Sequence, residues 1–148
     1  MIAITLDRVP SVYRGGDTLR MEYQFDALEA EEIQAVEASV LWYTEGKGEP
    51  DMGVLYFRRM TPDDVDGRDL RPMQRVDVPL PPSPLTYDGV ILKIRWCVRV
   101  RLFLSRGREY LEELGFQLGE IPPAAPLGSP LPPADAPSGG VAPEEADE

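Results

Sequence analysis

The chain has 148 residues, with 26 acidic against 15 basic side chains, one cysteine and no histidine. Without histidine there is neither a Ser-His-Asp or Cys-His catalytic arrangement nor a cysteine–histidine zinc site, and a lone Cys97 permits no internal disulfide. A net charge of −11 argues against general binding to nucleic acid, which needs a basic surface to neutralise phosphates.

Ile2, Ile4 and Leu6 alternate with Ala3, Thr5 and Asp7, which predicts a first strand stopped at Pro10. Tyr13-Arg-Gly-Gly-Asp17 reads as a turn, because paired glycines reach positive φ at little cost. A second strand follows from Leu19 to Phe25, with Leu19, Met21, Tyr23 and Phe25 on one face. Residues 26–43 admit two readings. Helix formers between Ala27 and Ala38 allow a short helix. The alternation of Val36, Ala38, Val40 and Trp42 with Glu37, Ser39, Leu41 and Tyr43 favours an acidic loop and then a strand from about Ile33 to Glu45. A hairpin loop, Glu45–Asp51, leads to a strand over Met52–Met60. An acidic loop (Thr61–Arg71) and a strand (Pro72–Leu80) come next.

The clearest pattern lies between Leu80 and Leu104. A proline-rich loop and an Asp88-Gly89 turn lead into a long strand in which Ile94, Trp96, Val98, Val100, Leu102 and Leu104 are apolar. Lys93, Arg95, Arg99 and Arg101 occupy the alternate positions. A period of two sends these sets to opposite faces, one onto a core and one carrying positive charge. After a turn at Ser105–Arg108, residues Glu109–Gln117 close the body as a strand or a short helix. Seven or eight short strands punctuated by turns predict an all-β, antiparallel, immunoglobulin-like sandwich over residues 1–118.

Residues 119–148 hold eight of the sixteen prolines, six acids and no base, which predicts a disordered, acidic, proline-rich tail. Its Pro123–Pro126 and Pro130–Pro133 segments suit a proline-recognising partner or a plain linker. No apolar run approaches the roughly twenty residues of a membrane span, and the first residues lack a signal-peptide core. The expectation is a cytoplasmic protein without an integral membrane segment.

Candidate chemistry is sparse. Cys97 sits between Arg95 and Arg99, where cations would lower a thiol pKa, although a small sheet-filling residue is the simpler reading. Asp64-Val-Asp66-Gly67 hints at a calcium loop, but alignment on Gly67 puts Pro62 and Met73 where an acid and a glutamate are needed. Gly46-Lys47-Gly48 lacks the spacing of a phosphate loop. No metal or cofactor is expected. The leading binding candidates are Lys93, Arg95, Arg99 and Arg101, set against cross-strand pairing with acids of neighbouring strands.

Three segments carry a family resemblance. Val12-Tyr13-Arg-Gly-Gly-Asp-Thr-Leu19 is similar to the turn into the second strand of the N-terminal lobe of arrestin-like proteins. Ile33–Tyr43 resembles the strand that follows. Leu80-Pro-Pro-Ser83 through Asp88-Gly89 to Val100 resembles that lobe's proline loop, turn and alternating strand. The resemblance implies an arrestin-like sandwich with no enzymatic activity, working as an adaptor or scaffold that docks other proteins. An arrestin has two such lobes and this chain has room for one. The phosphate-sensing set of that family is not identifiable here, so receptor binding is not carried over. The expected function is a non-catalytic protein-interaction module whose partner is acidic or adds to a sheet edge. The alternatives are a self-associating structural subunit and an enzyme using carboxylates such as Asp63, Asp64 and Asp66.

Overall fold

The computed structural model describes residues 1–119 and folds them into two β-sheets, with no α-helix among them. The strands are β1 (Ile2–Leu6), β2 (Val12–Tyr13), β3 (Thr18–Phe25), β4 (Ile33–Gly46), β5 (Met52–Met60), β6 (Gln74–Pro79), β7 (Tyr87–Asp88), β8 (Leu92–Leu104) and β9 (Glu109–Leu118). The smaller sheet has the order β1-β3-β6. The larger runs β2-β9-β8-β4-β5, with β7 also paired to β8. All pairings are antiparallel except the two-residue β2–β9 contact. The predicted tail, including both proline segments, lies outside the described residues apart from Gly119.

Parity builds the core. On β3 the apolar set Leu19, Met21, Tyr23 and Phe25 is buried while Thr18, Arg20 and Gln24 are exposed. On β8, Trp96, Val98, Val100, Leu102 and Leu104 are buried against Val36, Ala38 and Val40 of β4 and the inner face of the smaller sheet. Each such side chain contributes about 1.5–3 kcal/mol relative to leaving it in water. Phe116 and Leu118 of β9 join this cluster, yet Tyr110, Glu112 and Leu114, which share their parity, remain exposed. Three strands face a larger sheet, and the outlying half of β9 is left uncovered.

The ambiguous region resolves as the strand. A single 3₁₀ turn, Ala30–Glu32, precedes β4, and the alternative helix over 27–38 does not form. Burial of Ile33, Val36, Ala38 and Val40 between β5 and β8 outweighs the local helical propensity of a short segment. Residues 109–118 are likewise a strand, held along its length by β8.

Two of the segments that resemble arrestin-like proteins meet in space. The Gly16 amide donates to the Leu80 carbonyl at 2.9 Å, and the Leu80 amide to the Asp17 carbonyl at 2.8 Å. A Cβ on Gly15 would come within 2.7 Å of Pro82 Cα, so this close approach requires glycine. Beside the turn, the buried Tyr13 hydroxyl donates to Asp7 Oδ1 at 2.7 Å, and the Arg20 amide reaches the same oxygen at 3.2 Å.

This network sets a pH response. Burial opposes the charge on Asp7, but the Tyr13 hydroxyl and the Arg20 amide together hold its carboxyl below the ordinary value. The Arg14 amide and the Arg8 guanidinium do the same for Asp17, and the Arg71 guanidinium for Asp69. Carboxyl groups depressed in the folded state add stability that is present above their unfolded pKa, near 4, and is lost as pH falls through the folded value. Burial pushes Tyr23 up to about 12, and burial with the Asp7 hydrogen bond raises Tyr13 further. Stability tied to these phenols is present below pH about 10 and lost above it. Thermal melts should therefore give a plateau between about pH 5 and pH 10 with a fall on both sides. Asp7→Asn should flatten part of the acid limb; an acid limb identical to the parent's would remove Asp7 from this account.

Candidate functional site

The outer face of the larger sheet collects the odd-numbered side chains of β8. Lys93, Arg95, Arg99 and Arg101 project there together, as a period of two requires. Register decides their partners. Arg99 lies opposite Glu113 on β9 and binds it at 2.5 Å. Arg95 reaches Glu45 of β4 at 3.1 Å, and Lys93 reaches Asp88 of β7 at 3.4 Å. Arg101 has no ion-pair or hydrogen-bond partner among the described residues. Its cross-strand neighbour Glu37 is bound instead to Arg59 of β5 at 2.7 Å. Three of the four cations thus serve cross-strand pairing, each pair contributing about 0.2–1 kcal/mol at this exposure.

Cys97 is on the same face but buried, opposite Leu41 of β4 and Gly115 of β9. Burial pushes its thiol up to about 11, and nearby Glu113 adds to this, against a smaller opposing effect of Arg99. The flanking arginines do not lower it, and Cys97 fills a sheet position, the simpler sequence reading: desolvation of the charged form outweighs cations that are themselves neutralised by acids.

The other sequence candidates have structural employment. Asp64 accepts the Thr61 amide at 2.8 Å and closes a 3₁₀ turn over Pro62–Asp64, while Asp63 is bound to Arg68. Asp69 chelates Arg71 through both carboxylate oxygens at 2.9 and 3.1 Å. Among the described residues no three acids or thiols are placed to hold a metal ion. Gly46 ends β4 where a Cβ would collide with the Ile91 carbonyl, and the Lys47 amide donates to that carbonyl at 3.2 Å. No described helix is long and apolar enough to cross a membrane.

Beside the basic row lies an apolar strip. β5 is the edge strand of the larger sheet, and Met52, Val54 and Phe57 on it are 51, 55 and 56 % exposed. A bulge opposite Val40 and Leu41 inserts Leu55 and adds a fourth exposed apolar residue. The cross-strand rows run Phe57–Ser39–Arg99 and Val54–Leu41–Cys97. A small serine between larger neighbours leaves a groove of about 180 Å³, lined by Glu37, Ser39, Phe57, Arg99 and Arg101 among others. The sequence had placed Ser39 on the outward parity of β4; it did not show that Phe57 and Arg99 stand on either side of it.

The architecture defines the class: an antiparallel β-sandwich with an arrestin-like fold. One structural likeness is to Spo0M, a sporulation control protein from Bacillus subtilis. The TM-score is 0.53 at 12 % identity, over 81 % of this chain and 49 % of that one. The chain therefore spans about half the length of that relative, and the likeness concerns the fold. No family model matches the chain, and no curated protein matches it.

Proposed function

We propose that this sandwich is a non-catalytic interaction module, an adaptor or scaffold, that receives a protein partner on the outer face of its larger sheet. The observation that carries this reading is the joint display of Lys93, Arg95, Arg99 and Arg101 beside the exposed apolar strip of β5. Cations next to uncovered Met, Val and Phe side chains supply both halves of a protein-docking surface, a polar rim and a hydrophobic centre. The arrestin-like fold and its similarity to a sporulation control protein support a regulatory role without chemistry. The partner is a protein of acidic character, met in the cytoplasm.

Changing Arg95, Arg99 and Arg101 together to Glu tests the proposal. In affinity capture from the host, proteins retained by the parent should be lost, while the variant's melting temperature stays within a few degrees of the parent's. Undiminished capture, or an unfolded variant, would refute the assignment of this face.

A further inference from the structure

Resting on that reading, we infer that the groove over Ser39 is the anchor point for an extended peptide segment carrying one apolar side chain next to a carboxylate.

Size, polarity and charge each narrow the occupant. A volume of about 180 Å³ is below the roughly 300 Å³ at which pockets for whole small molecules begin, and suits a single side chain. Its apolar boundary, Leu41, Met52, Val54 and Phe57, selects an aliphatic or aromatic one. Ser39 is only 8 % exposed, lines the groove, and has no hydrogen-bond partner for its hydroxyl among the described residues. Buried hydroxyls ordinarily find partners, so this one marks a place where a ligand's backbone or carboxylate completes the structure.

Of the guanidinium groups on this part of the face, Arg101 is the one without an ion-pair partner among the described residues. Glu37 is held by Arg59 and Glu113 by Arg99. A ligand carboxylate on Arg101 would give this cation a partner through a charge-assisted hydrogen bond. A second copy of this chain would not meet that demand with its own β5, which contains Arg58 and Arg59 and no acid.

Two capped six-residue peptides, one alternating Glu with Leu and one alternating Lys with Leu, are titrated to about 1 mM into the ¹⁵N-labelled full chain; this reaches the weak end of specific recognition. The Glu peptide should shift the amides of Ser39, Leu41 and Phe57 and the guanidinium signal of Arg101, and the Lys peptide should not. Ser39→Leu fills the groove and keeps every charge. It should weaken Glu-peptide binding tenfold or more, with the melting temperature unchanged. Absent shifts, equal shifts with both peptides, or unimpaired binding to Ser39→Leu would overturn the inference. So would groove signals that move on dilution, which would identify a second copy as occupant, or on deletion of residues 120–148, which would identify the chain's own acidic end. A partner captured from the host separates the two claims. Retention by Ser39→Leu with loss by the triple-Glu variant ends the groove and spares the basic face. Retention by both ends both, and loss by both supports both.

Discussion

Val100→Glu is expected to unfold the domain, whereas Arg101→Glu, one residue further along the same strand, should leave it folded. Val100 is fully buried in the middle of β8, between Ala38 of β4 and the opposing sheet. A carboxylate there would stand directly opposite Glu112 of β9, with the nearest cation of its row, the exposed Arg58, one strand further away beyond Ala38. Burying an unpaired charge costs several kcal/mol, a large part of the roughly 5–15 kcal/mol by which a domain is stable. The new acid would escape by taking up a proton, so the loss should be largest at neutral pH and smaller in mild acid. Arg101 faces solvent and holds no ion pair among the described residues; a glutamate there would stand opposite Glu37, so the change should cost no more than about 1 kcal/mol. Circular dichroism melts of the two variants decide the matter. Similar melting temperatures would mean that the two faces of β8 are not distinguished as described.

Trp96→Ala should cost about 3–5 kcal/mol, a fall in melting temperature on the order of 10–20 °C. The indole is 2 % exposed and lies tilted at 5.7 Å from Phe116, which in turn meets Tyr13 edge-on at 5.6 Å. Its Nε1–H donates to the Pro84 carbonyl at 2.7 Å and so ties the proline loop to β8. Truncation opens a cavity and leaves that carbonyl without its donor. Trp96→Phe should recover part of the packing without the hydrogen bond and fall between parent and Ala. A Trp96→Ala protein that melts with the parent would contradict the assignment of this residue to the core.

These two positions show how far a period of two reaches. The faces of β8 were readable because six apolar residues hold the even positions without interruption, and each sheet face has one environment. The same held for β3. In β5 the pattern MGVLYFRRM carries no such period: the bulge at Leu55 puts Val54 and Phe57, three residues apart, on the same face opposite Leu41 and Ser39. Residues 26–43 were divided between two elements because their local propensity and their periodicity disagree, and tertiary burial settled the outcome. The cations of β8 were visible as a row, but which of them is neutralised depends on register. Glu113 opposite Arg99, and Glu37 turned toward Arg59 and away from Arg101, are facts of pairing between strands far apart in the chain. The groove over Ser39 was hidden for the same reason. Serine at one position carries no signal until its neighbours on β5 and β8 are known. Cys97 fills a sheet position, the simpler of its two sequence readings, and burial operates locally on this face too, under the side chains that flank it.

Arginine modification with phenylglyoxal, read by mass spectrometry on the free chain and on its complex with a captured partner, tests the proposed docking face most directly. The smaller sheet provides the internal control, because Arg20 and Arg75 on its outer face are paired to Asp77 and Glu22 at 2.8 and 2.9 Å in a closely similar setting. Binding should protect Arg95, Arg99 and Arg101 while Arg20 and Arg75 react as before. Protection of Arg20 and Arg75 with β8 still reactive would put the partner on the opposite side of the molecule.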